Sequence, residues 1–320
     1  TENKICLVTC DLIGLSNEFS QAVREKIAQA LDTIAANVVI ACAHNHSGPA
    51  TIGFHDPEHV DRDYLSLLSS KLLELSQGAA SNLESALLGV GLGEETTVSE
   101  YRRLLTRDGG IVMNWEEYPP EEILGPAEAG DPDLGVVKIL STSGQTIAVI
   151  FNYACHPNSM PGDNFTITAD FPGYAADLIE KELGGIALFT NAAQGSVDIE
   201  GFEGRDFGGV ERRGVALGEV VLDVCRKIEV QPDPVIRAAR RVFLLPYRVV
   251  PPEILQWARD VASRATGEAV TLRDGISDEI KAENILHHVS ISEPGVDFEM
   301  VGIRLGDGVF FTVPGELFTE

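Results

Sequence analysis

No apolar run in this chain approaches the roughly 20 residues that a membrane-spanning helix requires, and no segment reads as a signal peptide. Cations are scarce too: 24 Lys and Arg stand against 49 Asp and Glu, a formal charge of -25. Nucleic acids and anionic membrane surfaces both call for clustered cations, so this balance argues against either as a partner. There is no internal repeat and no low-complexity tract. Cysteines are few and odd in number, namely Cys6, Cys10, Cys42, Cys155 and Cys225. Four of them lie in apolar runs and read as reduced core residues, which leans towards the cytoplasm. That lean leaves secretion open, because the chain reads as cut at both ends: it starts without Met and stops at Glu320, directly after a motif.

What is present fits a soluble globular protein. Of 320 residues, 44% are hydrophobic and 23% charged, enough to bury a substantial core. The stretch that organises the rest runs from Ala36 to Pro49, A-N-V-V-I-A-C-A-H-N-H-S-G-P. Its apolar part, Val38 to Ala43, has the length and β-branched content of a buried strand. It stops at His44 and His46, then at the turn signal Ser47-Gly48-Pro49. In open α/β sheets the ends of strands are where ligands bind. Two histidines one residue apart either chelate a metal together or divide into one ligand and one acid/base group.

Around this stretch the pattern is β-α-β. Ile5 to Cys10 predicts a strand ending at Asp11, and Ser16 or Asn17 predicts the cap of a helix striped by Phe19, Val23, Ile27, Leu31 and Ile34. A long helix is expected from Val60 to Leu75, broken near Gly78 and resuming through Leu83 and Leu87. Residues 90 to 133 read as an irregular, acidic surface excursion, with Arg102 and Arg103 as a surface ion-pair site. Gly135 to Leu140 and Thr146 to Tyr153 predict a hairpin, whose second strand runs into Cys155-His156-Pro157-Asn158. Asp170 opens a helix closed by Gly184-Gly185, and the strand Ile186 to Thr190 empties into Asn191 to Asp198. A Gly-rich approach (201–209) leads to a helix over 210–228. Beyond Pro232 a strand (235–245), a helix with Trp257 and Val261, a strand-like run through His287 and His288 to Ser292, and a hairpin about Gly306-Asp307-Gly308 lead to Pro314-Gly315-Glu316.

Several apolar strands thus end in groups able to do chemistry: Asp11, His44 and His46, His156, Asn191 onward, and Glu316. Taken singly, each is as well explained by a loop cap or a satisfied core imidazole. Taken together, two or three histidines and one carboxylate are the ligand inventory of a catalytic zinc site with an open position for water.

These residues also carry a family resemblance. A-H-N-H-S-G-P-A (43–50), N-Y-A-C-H-P-N-S-M (152–160), I-T-A-D-F-P-G-Y-A (167–175) and V-P-G-E-L-F-T-E (313–320) resemble, in order, four segments of the neutral/alkaline ceramidases, zinc amidases that cleave the N-acyl bond of ceramide. The resemblance implies one catalytic Zn2+ held by His44, His156 and Glu316, with His46 bonding the substrate carbonyl or developing oxyanion. The family adds a tyrosine ligand and an immunoglobulin-like domain further along, neither of which this sequence contains. It also carries G-D-V-S-P-N, whose serine is assigned as nucleophile or substrate contact. Here the aligned run is Gly195-Ser196-Val197-Asp198-Ile199-Glu200, so a carboxylate stands where the serine would be. Asp198 then becomes the candidate general base, with Ser196 as the competing catalytic group. Asp170, a helix cap that also orients a ligand histidine, Asp11 and Asn191 are expected behind or beside the ligands. His55, His59, His287 and His288 read as structural or surface.

The expected fold is α/β, a mixed, largely parallel sheet flanked by helices with antiparallel hairpin additions. It forms one catalytic domain over 1–320, in which 232–320 closes over the site. The expected function is zinc-dependent hydrolysis of an amide in a small-molecule or lipid-like N-acyl substrate. The alternatives are a metal-dependent esterase or phosphoesterase, disfavoured by the lack of cations near the motifs, and a non-catalytic ligand-binding member of the same fold.

Overall fold

The computed structural model describes residues 4–53, 57–116, 118–201, 204–265, 277–291 and 293–320. His55, residues 202 and 203 of the Gly-rich approach, and Ser292 lie outside them. Strands β1 (Cys6–Cys10) and β2 (Val38–Cys42) run parallel, Cys6 beside Val38 through Cys10 beside Cys42. The crossover is helix α1 (Asn17–Leu31), whose N-cap Ser16 accepts from the Phe19 N–H. Val23, Ile27 and Ala28 are buried along its inner face. The stripe ends a turn earlier than the spacing predicts, because Asp32 takes a left-handed φ of 51° and stops the helix. Ile34 is left largely exposed.

Helix α2 (Arg62–Ser81), capped by Asp61, passes through Gly78 unbroken. A glycine inside a helix costs only about 1 kcal/mol relative to alanine, and Leu68 and Leu72 already anchor this one in the α1–β2 core. Leu87 belongs instead to strand β3 (Ala86–Glu94). The acidic excursion is more ordered than its sequence predicts. It contains β4 (Ser99–Tyr101) and a small antiparallel sheet of β5 (Arg103–Thr106), β6 (Ile111–Met113) and β7 (Ile123–Pro126).

The predicted hairpin is β8 (Asp133–Ser141) and β9 (Thr146–Tyr153). Next come α3 (Asp170–Leu183), β10 (Ile186–Asn191), β11 (Val197–Ile199) and α4 (Phe207–Lys227). The order β10-β9-β8-β3 makes one four-stranded sheet, with β10 parallel to β9 and the remaining pairs antiparallel. The fold is therefore mixed α/β, and among the described residues parallel pairing is confined to β1–β2 and β9–β10. Helices α3 and α4 pack on this sheet around Phe151, Tyr153, Phe171, Phe189 and Leu217. They approach closely at Gly214, where a Cβ would lie 2.6 Å from the Phe171 carbonyl oxygen.

The last third holds β12 (Ile236–Pro246), α5 (Pro252–Ala262), α6 (Asp278–Ser290), β13 (Gly295–Leu305) and β14 (Gly308–Phe311). His287 and His288 sit in the last turn of α6, not in a strand. The helix start is marked by Ser277, which caps the Ile280 N–H. Its apolar periodicity is weak, which is why the run through His287 and His288 to Ser292 reads as strand-like. All five cysteines are free, and among the described residues no helix is long and apolar enough to cross a membrane.

Candidate functional site

Three chain segments meet where β2 and β9 end. Past β2, the Ala43 N–H still bonds the Cys10 carbonyl at 2.8 Å, and then the chain turns sharply. His44 adopts a left-handed φ of 64°, a conformation that costs a non-glycine residue about 1–3 kcal/mol. It is held there because the His44 and Asn45 N–H groups both donate to the Leu12 carbonyl, at 3.0 and 3.2 Å. Buried Asn45 completes the turn, donating to the Asp11 and Thr168 carbonyls and accepting from the Ser47 N–H.

The second segment follows β9. The His156 N–H donates to the Val197 carbonyl, and Asp170 accepts from the Ser159 N–H at 2.8 Å, three residues beyond that histidine. Asp170 is the first residue of α3, with φ 54°. Its other oxygen takes the Phe171 N–H, so it supports the 156–159 loop more than it caps a helix. The third segment carries Glu316. The Gly195 N–H bonds the Leu317 carbonyl at 2.8 Å, and the Thr319 N–H donates to the Ser196 hydroxyl at 3.0 Å. The Ser196 hydroxyl, fully buried and also 3.1 Å from that of Thr319, is thus committed to docking the Glu316 segment.

The rings of His44, His46 and His156 lie with centroids 4.8 to 5.7 Å apart. Their ring nitrogens fall within 4.8 Å of one another, a group able to hold a metal ion. Glu316 reaches between two of them: Oε1 is 3.5 Å from His44 Nε2 and Oε2 is 3.2 Å from His156 Nε2. On the far side of each ring, Nδ1 lies against a main-chain carbonyl, Ile13 at 2.9 Å for His44 and Val197 at 2.8 Å for His156. A carbonyl can only accept, so each Nδ1 carries a proton and each Nε2 is the ring nitrogen that faces Glu316. His156 Nε2 lies 3.2 Å from the Arg102 guanidinium, which can only donate, and 3.2 Å from Glu316 Oε2, which can only accept.

Two Nε2 atoms and a carboxylate therefore converge, a donor set able to hold a cation. Protonation of His44 is opposed by burial, which lowers its pKa, with the His156 and Arg102 charges adding to the effect against Glu316. His46 is lowered further, to about 3, by burial and by the two neighbouring imidazoles, although one edge of the residue is open to solvent. His156 beside it, followed by His44, holds the Glu316 carboxyl down to about 2. This donor set suits a divalent metal such as zinc.

Arg102 corrects the sequence reading. Its NH2 donates to the Gly195 carbonyl at 2.6 Å and stands 3.9 Å from Glu316 Oε2, while its guanidinium lies over Trp115. Only Arg103 makes the surface ion pair, with Glu320. The signal for Arg102 was present, since its position just past β4 lets its N–H bond the Ser196 carbonyl across the strand pair β4–β11. No motif marked that pairing. Arg205, from the approach to α4, lies 3.9 Å from Asp198 Oδ2, so the centre has cations that the motif spacing does not show.

Asp198 is fully buried. One oxygen accepts from the Ile199 N–H; the other, Oδ2, has no hydrogen-bond partner among the described residues. Burial raises its carboxyl, against Arg205 and His156, which pull it down. Asp11 turns its side chain to solvent and serves the site through its carbonyl, on Asn45. Asn191, at the end of β10, contacts the main chain next to both buried histidines.

Mixed α/β architecture with histidines and a carboxylate gathered at strand ends defines a candidate metal centre. The family model of the neutral/alkaline non-lysosomal ceramidases, N-terminal, matches residues 1–199, and the chain belongs to that family. A neutral ceramidase of Pseudomonas aeruginosa is 25% identical over 165 residues, which is 50% of this chain and 24% of that protein. The crystal structure of a neutral ceramidase from Pseudomonas aeruginosa superposes with a TM-score of 0.62 at 18% identity, over 95% of this chain and 53% of that one. A ceramidase complexed with C2 gives 0.63 at 16% identity, over 97% and 55%. The chain thus spans about half the length of the solved ceramidases it matches, and a quarter of the curated relative.

Proposed function

We propose that this chain forms the centre of a zinc-dependent amidohydrolase acting on an N-acyl substrate, with His44, His156 and Glu316 holding the metal. The observation that carries this reading is the meeting of two imidazole Nε2 atoms, each with its Nδ1 tied to a main-chain carbonyl, and one carboxylate. Family membership supports the reaction class. When bound, zinc supplies a Lewis acid for a carbonyl and lowers the pKa of water to about 7. The remaining work falls to side chains. Among the described residues no main-chain carbonyl anchors the ring of His46, unlike the other two histidines, and it lies at the open edge. It is therefore assigned to the substrate carbonyl, donating from a neutral imidazole. Asp198 takes the proton from the attacking water. Its Oδ2, without a hydrogen bond among the described residues, and its raised carboxyl are both what a general base needs.

An N-acyl lipid is the substrate class that the family favours, and the named relatives are ceramidases. One observation keeps the phosphoesterase reading alongside it. Arg102 and Arg205 supply the cations that the motifs lack, and a phosphoryl group would use them. The test is zinc content together with turnover of a fluorogenic N-acyl substrate and of p-nitrophenyl phosphate, each with and without chelator. Bound zinc and chelator-sensitive release from the N-acyl substrate are expected. Zinc without such turnover would replace the amidase reading with a binding protein, and chelator-sensitive release from the phosphate alone would replace it with a phosphoesterase.

A further inference from the structure

The two histidine-bearing segments come from separate sheets. β2 pairs only with β1, whereas β9 lies in the four-stranded sheet beside β10. Among the described residues no backbone ladder joins β2 to β10. The main chain ties the two loops past the histidines, where the His46 N–H donates to the Pro157 carbonyl at 3.0 Å, and the spacing of the strand ends before them falls to side chains. At the end of β10 one side chain spans the gap. Asn191 Nδ2 donates to the Ala43 carbonyl at 2.7 Å and to the Cys155 carbonyl at 2.9 Å, while its Oδ1 accepts from the Cys155 N–H at 3.3 Å. Ala43 and Cys155 are the residues immediately before His44 and His156. One carboxamide therefore uses both donors and an acceptor on the two peptides that aim the two rings.

We infer that Asn191 is the positioning residue that sets the spacing of the two imidazoles. The chemistry of the contact makes the residue type specific. The two carbonyls require two N–H donors on one nitrogen, which an aspartate cannot supply. An Asp at this position would face two carbonyl oxygens with a charge, and is worse than having no side chain at all. Serine keeps one donor and alanine none. The expected order is therefore Asn, Ser, Ala, Asp, and it departs from the order of volume similarity, in which Asp ranks next to Asn.

This inference rests on the metal reading above, and the test separates the two. Zinc dissociation constants are measured by chelator competition for the wild-type chain and for Asn191→Ser, Asn191→Ala and Asn191→Asp. Phe298→Ala, which removes the Phe243–Phe298 ring pair of β12 and β13, serves as a control for general destabilisation. Groups that orient ligands change metal affinity by about 10–100-fold. A weakening of about tenfold in Asn191→Ala and more in Asn191→Asp is expected, with the control unchanged. In parallel, long-range 15N–1H spectra of the metal-free proteins report the ring tautomers. His44 and His156 are expected as the Nδ1–H form in the wild type and as mixtures in Asn191→Ala. Unchanged affinity and unchanged tautomers in Asn191→Ala and Asn191→Asp would overturn the inference. A wild-type chain that binds no zinc would overturn the metal reading instead, and the ring spectra would still decide the role of Asn191.

Discussion

His46, His44 and Glu316 give the site a definite response to acid. In the metal-free protein the unfolded chain protonates its histidines near pH 6.5, whereas folded His44 is lowered and folded His46 stays neutral until about 3. The unfolded state then binds more protons in that window, so stability rises with pH up to about 6.5 and levels off above it. Glu316, held down to about 2, acts in the same direction below its unfolded value of 4.5. Urea unfolding at several pH values should show this slope, and His46→Asn should flatten it between about pH 6.5 and 4; an unchanged slope would rule out His46 as its source. Catalytic roles separate at the same scale. The Ser196 hydroxyl is spent on Thr319, while Asp198 Oδ2 has no such commitment. Ser196→Ala is expected to cost about 1 kcal/mol of stability with a small change in kcat. Asp198→Ala should lower kcat by about 100-fold or more. Greater loss of turnover in the serine variant would reverse the assignment.

At the level of elements, the site depends on how the Glu316 segment seats on the turn before β11. Gly195 has no room for a side chain: a Cβ there would lie 2.7 Å from the Glu316 carbonyl oxygen and against the Phe318 ring. Gly195→Ala should therefore push out the 316–319 segment, removing Glu316 from the two imidazoles while leaving the α3–α4 core intact. Zinc affinity should fall by at least tenfold with near-wild-type circular dichroism. Retained affinity would mean that Glu316 does not hold the metal. The helix ends at Ser16 and Gly184 were the most legible features at this scale, because both residues act locally. Errors came where tertiary packing overrode a local cue. Gly78 stayed helical because Leu68 and Leu72 were already buried, and the α6 histidines were helical despite a run of β-branched neighbours.

In the whole molecule, the parts that could be read from sequence were those whose partners lie nearby or whose motif is shared across a family. His44, His156 and Glu316 stood out because each follows an apolar strand, and they do come together. The small share of parallel pairing was not legible, since a β-α-β unit at the N-terminus says nothing of how later strands add. Arg102 was missed for a related reason: it enters the centre through the pairing of β4 with β11, which are nearly 100 residues apart in the chain. Asn191 was expected beside the site, but its task of joining two sheets depends on contacts to residues 43 and 155 that no spacing reveals. The account's central claim is that two imidazoles from different sheets and one carboxylate share a single divalent ion. It is tested most directly by an anomalous difference map collected at the zinc edge from crystals grown with zinc. One peak is expected, about 2.0–2.2 Å from His44 Nε2, His156 Nε2 and a Glu316 oxygen. A map with no peak at these three side chains would contradict the claim.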